Sequence, residues 1–412
     1  MKETRAGTPL SLYQLLDADV LADPYPLYRR LRTEDPVHWD TYLHAWVVTR
    51  YEDVVTVLTR FSAERTPSPD FFDALGARQI RPVAEVMVKQ MLFLDAPEHT
   101  RIRKLAAPAF MPARVAALRQ HIESITMGLL DEVVERGEGR MDLLRDFAEP
   151  LPAIVTGEML GVPREDHRKL KDWSATFAGV LGNFQHNPDQ LEPVLDAVEK
   201  MTAYFQQAIL EQRTRPREGL VQTLMSSEVD GDRLTEEEVV ANCIITMVGG
   251  QETTTNLIAS GMLELLRHPD QLAKLRAKPE IMPTAVEELL RYVSPTQHTA
   301  RVAPDDVVLS GKELKKRQAV IAVTGAANRD PDRFPDPDRL DLERPDNRHV
   351  AFGWAAHFCF GAPLARLEAQ IAFDALLRRF DALELTEEPL VWRENLALRG
   401  LNALPLRYEA TT

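Results

Sequence analysis

The residue with the clearest chemical potential is Cys359, in the run FGWAAHFCFGAP at positions 352–363. Pro363 suits the first turn of a helix, so the thiol lies just ahead of a predicted helix N-terminus. The helix dipole and the free backbone N–H groups there lower a cysteine pKa, which favours the thiolate. A thiolate that ligates haem iron pushes electron density towards oxygen bound on the opposite side. The run therefore predicts a metal-binding sulfur.

The neighbours of this cysteine fit the same interpretation. Gly353 and Gly361 allow tight turns around the sulfur, and Phe352 and Phe358 can shield it from water. The alternative is a buried structural cysteine, which we favour for Cys243 because it lies within an apolar helical stretch.

A second candidate lies in the middle of a helix predicted over 235–267, at Gly249 to Thr254. Two adjacent glycines each cost ~1 kcal/mol relative to alanine, so something should compensate. Small residues permit a flat ligand to approach, and a local break in helical hydrogen bonding would leave a groove for O₂ and water. Thr253 could then hold a hydrogen bond and Glu252 could connect it to solvent as a proton relay. Taken alone, the segment equally describes a helix flaw with a solvated carboxylate.

Charged residues elsewhere have the spacing of paired binding groups. His99 and Arg103 are four apart on a helix that opens near Pro97, so together they could grip carboxylates. Glu288 and Arg291 share a helical face three residues apart, which on its own is an ordinary surface pair worth ~0.2 to 0.5 kcal/mol.

These motifs together resemble those of the cytochrome P450 superfamily. The run at 352–363 matches the haem-binding signature at its Phe, first Gly, His, Cys and last Gly, and the segment from Gly249 resembles the oxygen-activation motif. Ala355 departs from the signature, where the family usually has a glycine; if this position needs a positive φ, alanine strains the loop. The resemblance extends from a hairpin near Val37 to terminal strands around 398–406.

The resemblance implies haem b, held between the central helix and the cysteine-led helix, with Cys359 as the iron ligand. In the family, residues matching His99, Arg103, Arg301 and His357 bind the haem propionates. Glu288 and Arg291 match a Glu-x-x-Arg element that joins an arginine of the later coil, for which Arg339 is the matching partner. The full set of predicted cofactor-binding residues is His99, Arg103, Gly249, Arg301, Phe352, His357, Cys359 and Gly361.

The implied reaction inserts one oxygen atom of O₂ into a small, largely apolar organic substrate. Glu252 and Thr253 would be the catalytic pair. Electrons would come from NAD(P)H through a separate ferredoxin or flavodoxin and its reductase, because the chain has no recognisable flavin or iron–sulfur domain. Residues predicted by position to line the substrate pocket are Phe71, Phe72, Met91, Leu92, Ile245, Val248, Thr296, Gln297 and Leu401.

Two other functions are compatible with a haem-binding cysteine. A peroxide-driven haem-thiolate enzyme would not need the Glu252–Thr253 pair, and a haem-based ligand sensor or carrier would not need it either. A helical protein without a cofactor would require every motif to be fortuitous. The acid–alcohol pair therefore favours the oxygenase.

The elements that must position these residues are mainly helical. Helical periodicity covers 114–134, 188–213, 235–267, 283–292 and 363–380. The segments 37–40 and 45–49 read as one hairpin, and 307–309 with 319–323, joined through Gly311, as another. We therefore expect a mainly α fold with small β-sheets, the triangular prism that the resemblance implies, as a single domain over 1–412 with a small β-rich N-terminal part.

Three stretches lack a clean helical or strand period. Residues 328–349 are dense in Pro, Asp and Arg and predict an irregular coil that leads into the cysteine loop. Residues 66–89 and 179–188 are candidate access loops, since long connections in compact domains are usually functional.

Composition limits the partners. The chain has 412 residues and a formal net charge of −14, which disfavours nucleic-acid binding. The polar segment 1–9 does not resemble a signal peptide, and the longest uncharged stretch, 239–251, falls short of the ~20 apolar residues that cross a bilayer. Two cysteines without a paired spacing fit a reducing compartment. We expect a cytoplasmic monomer that contacts neither membrane nor nucleic acid.

Overall fold

The computed structural model describes residues 10–74, 76–182, 188–229 and 231–411, and helices dominate it. The helices in these ranges are α1 (Ala18–Ala22), α2 (Tyr25–Glu34), α3 (Tyr51–Arg60), α4 (Pro69–Ala74), α5 (Arg81–Met87), α6 (Glu98–Ala106), α7 (Pro112–Ala117), α8 (Arg119–Glu135), α9 (Pro150–Leu160), α10 (His167–Gly182), α11 (Pro188–Thr214), α12 (Leu220–Ser226), α13 (Glu236–Arg267), α14 (Pro269–Ala277), α15 (Met282–Val293), α16 (Thr324–Ala327) and α17 (Ala362–Arg379). Within the described ranges, no helix is both long enough and apolar enough to span a bilayer.

The central helix α13 crosses the core and packs against α9, α10, α11, α15 and α17. Thr235 caps it with the reciprocal hydrogen bonds of a capping box that includes Glu238, as predicted. The helix is continuous through both glycines, so the predicted break in its hydrogen bonding is wrong. Close packing compensates at Gly250, where an added Cβ would lie 2.5 Å from Oγ1 of Thr156, whereas a Cβ at Gly249 would meet open space.

The strands form three small sheets. They are β1 (Val37–Asp40), β2 (Ala45–Val48), β3 (Arg140–Asp142), β4 (Thr299–Val302), β5 (Val307–Leu309), β6 (Lys312–Leu314), β7 (Ala319–Ala322), β8 (Phe380–Leu385) and β9 (Pro405–Ala410). Their orders are β1-β2-β7-β4, β3-β9-β8 and β5-β6. The first predicted hairpin is confirmed, because β1 and β2 pair antiparallel.

The second predicted hairpin is wrong. β5 pairs with β6, and β7 instead lies parallel to β2 and antiparallel to β4. The reason is the turn at Ser310 and Gly311, which both have a positive φ (47° and 79°). Two such residues form the tight turn that closes a hairpin at once, so the chain reverses directly after Leu309.

Other boundaries differ in detail. The predicted helix over 114–134 is divided into α7 and α8, and the terminal strand pair lies at β8 and β9 rather than around 398–406, where Leu398 and Leu401 make only isolated bridges. The coil over 328–349 is confirmed. Segment 66–89 contains α4 and α5 instead of one loop, and of the second candidate loop, 183–187 lie outside the described residues.

Candidate functional site

A cavity of about 490 Å³ lies between α13 and the cysteine loop. Its wall contains Thr253 on one side and Cys359 with Gly361 on the other, and basic residues from α6 and β4 complete it. The volume is within the usual range of small-molecule sites, roughly 300 to 1,000 Å³. The motifs that the sequence places far apart therefore meet around a single space.

Cys359 is held by its own loop. Its backbone N–H donates to the carbonyl of Phe352 at 2.7 Å. Burial raises the pKa of the Cys359 thiol, while the N–H of Gly361 and the charges of Arg103 and Arg366 act in the opposite direction. The expected lowering by the helix N-terminus is thus present but outweighed by desolvation. Ligation of a metal removes the thiol proton, so the sulfur is suited to a metal rather than to a free thiolate.

Ala355 has the strained backbone that the sequence comparison with the haem-binding signature predicts. Its φ is 54°, a conformation that favours glycine, and Gly353 has a φ of 71° in the same loop. The two predicted shielding rings, those of Phe352 and Phe358, lie 6.1 Å apart between centroids. Phe358 is 38% exposed. It therefore covers the sulfur only in part.

The four predicted propionate-binding residues converge on the cavity wall. The rings of His99 and His357 lie 4.1 Å apart between centroids, and Arg103 donates to the carbonyl of Phe358 at 2.7 Å. Arg301 donates through Nη1 to Thr299 and to the carbonyl of Ala300, while its buried Nε has no hydrogen-bond partner among the described residues. Burial lowers the pKa of Arg301 to about 10.

A fifth basic residue at this wall, Arg65, was not predicted. Its guanidinium lies 4.3 Å from the centre of the Phe93 ring and donates to the carbonyls of Ala63 and Leu92. Arg65 precedes a stretch without clear periodicity, so no motif identifies it. The unpartnered Nε of Arg301 and a third guanidinium beside it indicate that the wall fits an anionic group.

The predicted catalytic pair is divided between two environments. Thr253 lines the cavity and its Oγ1 donates to the carbonyl of Gly249 at 2.8 Å. Glu252 is 8% exposed, lies away from the cavity wall, and accepts a hydrogen bond from Arg393 at 2.7 Å. An arginine from the C-terminal segment covers the carboxylate, so the predicted connection of Glu252 to solvent would run past Arg393. Arg393 also contacts Asn256.

The ion-pair network around Glu288 is buried, but its third member differs from the predicted one. Glu288 and Arg291 are both 0% exposed and make two hydrogen bonds, of 2.7 and 2.8 Å. The Nε of Arg344 contacts both carboxylate oxygens at 3.1 Å. Arg339 contributes only its backbone carbonyl, which accepts from Arg291, and its side chain is 64% exposed. The charge partner is therefore Arg344, because the coil turns between the two positions.

The adjacent Glu287 forms a separate network that sequence analysis missed. Arg366, one turn into the cysteine-led helix α17, donates to its carboxylate at 2.6 and 2.8 Å, and His349 contacts it at 3.2 Å. Although burial favours the neutral acid, these hydrogen bonds lower the pKa of Glu287 to about 2. Arg366 also covers the Phe352 ring at 4.7 Å, so Glu287 braces the cysteine loop.

Five of the nine predicted pocket residues line the cavity: Met91, Leu92, Ile245, Val248 and Thr296. The other four do not. Phe71 is 49% exposed and Phe72 contacts it edge-on, because α4 lies at the surface and buries none of its residues. The amide of Gln297 is turned to the carbonyls of Val293 and Ser294, and Leu401 is in the hydrophobic core.

Glu368, on α17, is a further cavity-lining residue that no motif indicates. It is 1% exposed, and its Oε2 has no hydrogen-bond partner among the described residues. Burial raises the pKa of Glu368 from 4.5 to about 8. At a pH between these two values, the folded protein thus retains a proton at Glu368 that the unfolded chain releases.

Replacing Glu368 by glutamine should stabilise the protein increasingly as the pH rises. Because the folded pKa is the higher one, the wild-type protein loses stability between the two pKa values, by about 1.4 kcal/mol per pH unit for this group. Chemical denaturation at pH 5 and pH 8 should show a Glu368→Gln gain that is larger at pH 8. In the control, Glu313→Gln at an exposed position, the free energy of unfolding should differ from that of wild type by less than about 0.5 kcal/mol at both pH values. A pH-independent Glu368→Gln effect would contradict a raised pKa.

Comparison with known proteins assigns the chain to a family. The Cytochrome P450 family profile matches residues 47–399. The chain is 38% identical to the "Biotin biosynthesis cytochrome P450" of Bacillus subtilis, with 95% of this chain and 98% of that protein covered. It is 41% identical to the "Cytochrome P450 monooxygenase PikC" of Streptomyces venezuelae, with 99% and 97% covered.

Solved structures agree with these matches. The crystal structure of P450BioI in complex with a hexadec-9Z-enoic acid-ligated acyl carrier protein superposes with a TM-score of 0.89 at 37% identity, covering 95% of this chain and 100% of that one. The mainly α fold with small sheets is therefore the one expected from the sequence. This chain belongs to the cytochrome P450 family, whose members are monooxygenases that carry haem.

Proposed function

We propose that this protein binds haem b in the cavity between α13 and α17, with Cys359 as the iron ligand, and oxidises a small, largely apolar molecule with O₂. The observation that carries the proposal is the convergence of the Cys359 loop, the Thr253 segment and a set of basic side chains on one cavity. Fold alone does not establish a reaction, whereas a site with these groups supports one.

The residues present fit this cofactor. Gly249 leaves open space at α13, Gly361 and Phe352 belong to the opposite wall, and unpaired basic groups are available for two carboxylates. When bound, haem supplies the oxygen chemistry, which a thiolate ligand favours. The chain supplies the sulfur, orients the ring and limits access of water.

Proton delivery is the part of the reaction that falls to the chain. The Thr253 hydroxyl is at the cavity wall and its hydrogen bond to the Gly249 carbonyl fixes its position. The neighbouring Glu252 carboxylate is tied to Arg393, so we propose that a proton reaches Thr253 when this ion pair opens. A positioned acid–base group typically contributes 10²- to 10⁴-fold to a rate.

We further propose that electrons come from NAD(P)H through a separate ferredoxin or flavodoxin and its reductase, and that the protein acts as a cytoplasmic, single-domain monomer. Both cysteines are free thiols, which fits a reducing compartment. The single domain over 1–412 stays a prediction.

For the substrate we propose an apolar molecule, since Met91, Leu92, Ile245, Val248 and Leu398 line the cavity. Two of the relatives are named for biosynthesis, of biotin and of polyketides, and the P450BioI structure holds a long acyl chain on a carrier protein. These names favour chain-like biosynthetic intermediates as the first compounds to screen.

Turnover under ¹⁸O₂ with a ferredoxin and its reductase tests the proposal. A substrate found by its spectral shift should gain one labelled oxygen atom, and Thr253→Ala should lower product formation by roughly 10²-fold while hydrogen peroxide release rises. Thr253→Ser, which keeps the hydroxyl, should retain most of the coupling. Efficient turnover with added peroxide and none with electron donors would instead support the peroxide-driven alternative, and no product with either would support a sensor.

A further inference from the structure

The segment that follows β-bridge residue Ser62 brings Arg65 to the cavity wall. Its Nη1 donates to the carbonyls of Ala63 at 3.2 Å and Leu92 at 3.3 Å, and its guanidinium lies over the Phe93 ring. A guanidinium has five N–H donors in a planar fork. Because these contacts fix the plane of the fork and involve a single nitrogen, the remaining donors are available to a ligand in a defined orientation.

Arg65 has no carboxylate within 4 Å in the described part of the chain, and the same is true of Arg301. Asp95 is an acid of this region; it accepts from the backbone N–H of Ala63 and lies 4.0 Å from His357. The charge of Arg301, which has the same sign, acts on Arg65. Arg65 is half-buried and Arg301 is buried, and the one acid that acts on the pair, Asp95, acts on Arg301 and does not bond to it. Like charges in such a place are costly, so the pair suits an anion that the chain does not supply.

The third guanidinium of the wall, Arg103, also contacts the cysteine loop. It donates to the carbonyl of Phe358, beside the cysteine, lies 5.3 Å from the Phe360 ring and is electrostatically coupled to Cys359. Part of its donor set is therefore engaged by the cysteine loop. Arg65 and Arg301 remain as two permanent positive charges that face the cavity from neighbouring segments.

We propose that Arg65 is a carboxylate-binding residue of this cavity and that, beside Arg301, it holds one of the two carboxylates of the cofactor. The inference rests on the proposed function, because it takes haem as the source of these carboxylates. Guanidinium–carboxylate pairing is bidentate and directional, and the clamp at Ala63 and Leu92 reduces the ordering cost of binding. A carboxylate on the substrate is the other source of the same chemistry.

Haem loss to an excess of a haem-scavenging protein tests the proposal without enzyme turnover. Wild type, Arg65→Gln and Arg65→Lys are loaded with iron protoporphyrin IX or with its dimethyl ester, which has no carboxylates. Arg60→Gln serves as matched control, since Arg60 is exposed at the end of α3 and away from the cavity. Comparison of the two porphyrins within each variant separates carboxylate binding from any effect of the substitution on folding.

Arg65→Gln should release the free-acid haem roughly tenfold faster or more than wild type, because a charged hydrogen-bonded pair is lost. With the dimethyl ester, both proteins should release the porphyrin at the same rate. Arg65→Lys should give an intermediate rate for the free acid, and Arg60→Gln should match wild type with both porphyrins.

Equal release of the free acid from wild type and Arg65→Gln would overturn the assignment to the cofactor. In that case, the spectral shift is used to measure binding of a long-chain fatty acid and of its methyl ester. If Arg65→Gln weakened binding of the acid but not of the ester, the carboxylate that Arg65 binds would be that of the substrate. If the wild-type protein took up neither porphyrin, the proposed function itself would fail. If the wild type and Arg65→Gln bound haem equally well, only the role of Arg65 would fail.

Discussion

Cys359→Ala should abolish the thiolate-type absorption band of the reduced carbon monoxide complex and should lower oxygenation on the order of 10³-fold or more. The sulfur is the sole cysteine at the cavity wall of the described chain, and no neighbouring side chain can replace it as a soft anionic ligand. A mutational loss of this size is typical when a group on which the others depend is removed. The measurement is a difference spectrum together with product formation.

Cys243→Ala is the matched control. Cys243 is 0% exposed within α13, and burial raises the pKa of its thiol strongly, so it acts as a small apolar core residue. The substitution should leave the spectrum unchanged. A normal spectrum in Cys359→Ala, or its loss in Cys243→Ala alone, would show that the iron ligand has been misassigned.

Glu288→Gln should lower the free energy of unfolding by about 3 to 5 kcal/mol, because it leaves Arg291 and Arg344 buried without their counter-charge. The carboxylate also accepts hydrogen bonds from the backbone N–H of Asp341 and from Asn347, which tie the coil before the cysteine loop to α15. Chemical denaturation of the haem-loaded protein provides the measurement.

Arg339→Gln distinguishes the structural assignment from the motif-based one. The Arg339 side chain is exposed and comes no closer than 3.9 Å to Asp341, so we expect the free energy of unfolding to change by less than about 0.5 kcal/mol. Arg344→Gln should approach the effect at Glu288. The reverse order, with Arg339→Gln costly and Arg344→Gln neutral, would restore Arg339 as the third member of the network.

The contrast between Arg339 and Arg344 shows how far the sequence leads. Local patterns identify chemistry that depends on close spacing: the Cys359 run, the capping box at Thr235 and the pairing of Glu288 with Arg291, although not the burial of that pair. The arginine that completes the pair depends on the path of an irregular coil, in which no periodicity relates position to direction.

The cavity wall shows the same limit. Met91 and Ile245 were predicted from proximity to motifs and do line the space, but Phe71 is next to no motif and lies at the surface. Arg65 and Glu368 were missed because a lone charged residue in sequence is indistinguishable from a solvated one. Arg65 is identified by its place at the cavity wall without a carboxylate partner among the described residues, and Glu368 by its burial and its unpaired Oε2 in the same part of the chain.

Long-range pairing is also beyond local patterns. The tight turn after Leu309 could have been anticipated from Ser310-Gly311, since glycine tolerates the positive φ that this turn requires. One of the two partners of β7, however, is β2, a strand from the N-terminal part of the chain. Strand propensity indicates that a segment pairs and does not indicate with which segment.

That parallel pairing has a consequence for biogenesis. While the ribosome is still making the middle of the chain, β2 has β1 on one side and an open edge on the other, because Val320, which lies opposite Trp46, has not yet emerged. Such an edge invites association with other nascent chains. Since β4 and the cysteine loop come from the same late part of the sequence, haem can bind only after translation is nearly complete. If haem supply lagged behind protein synthesis, the apoprotein would retain a charged, unfilled cavity.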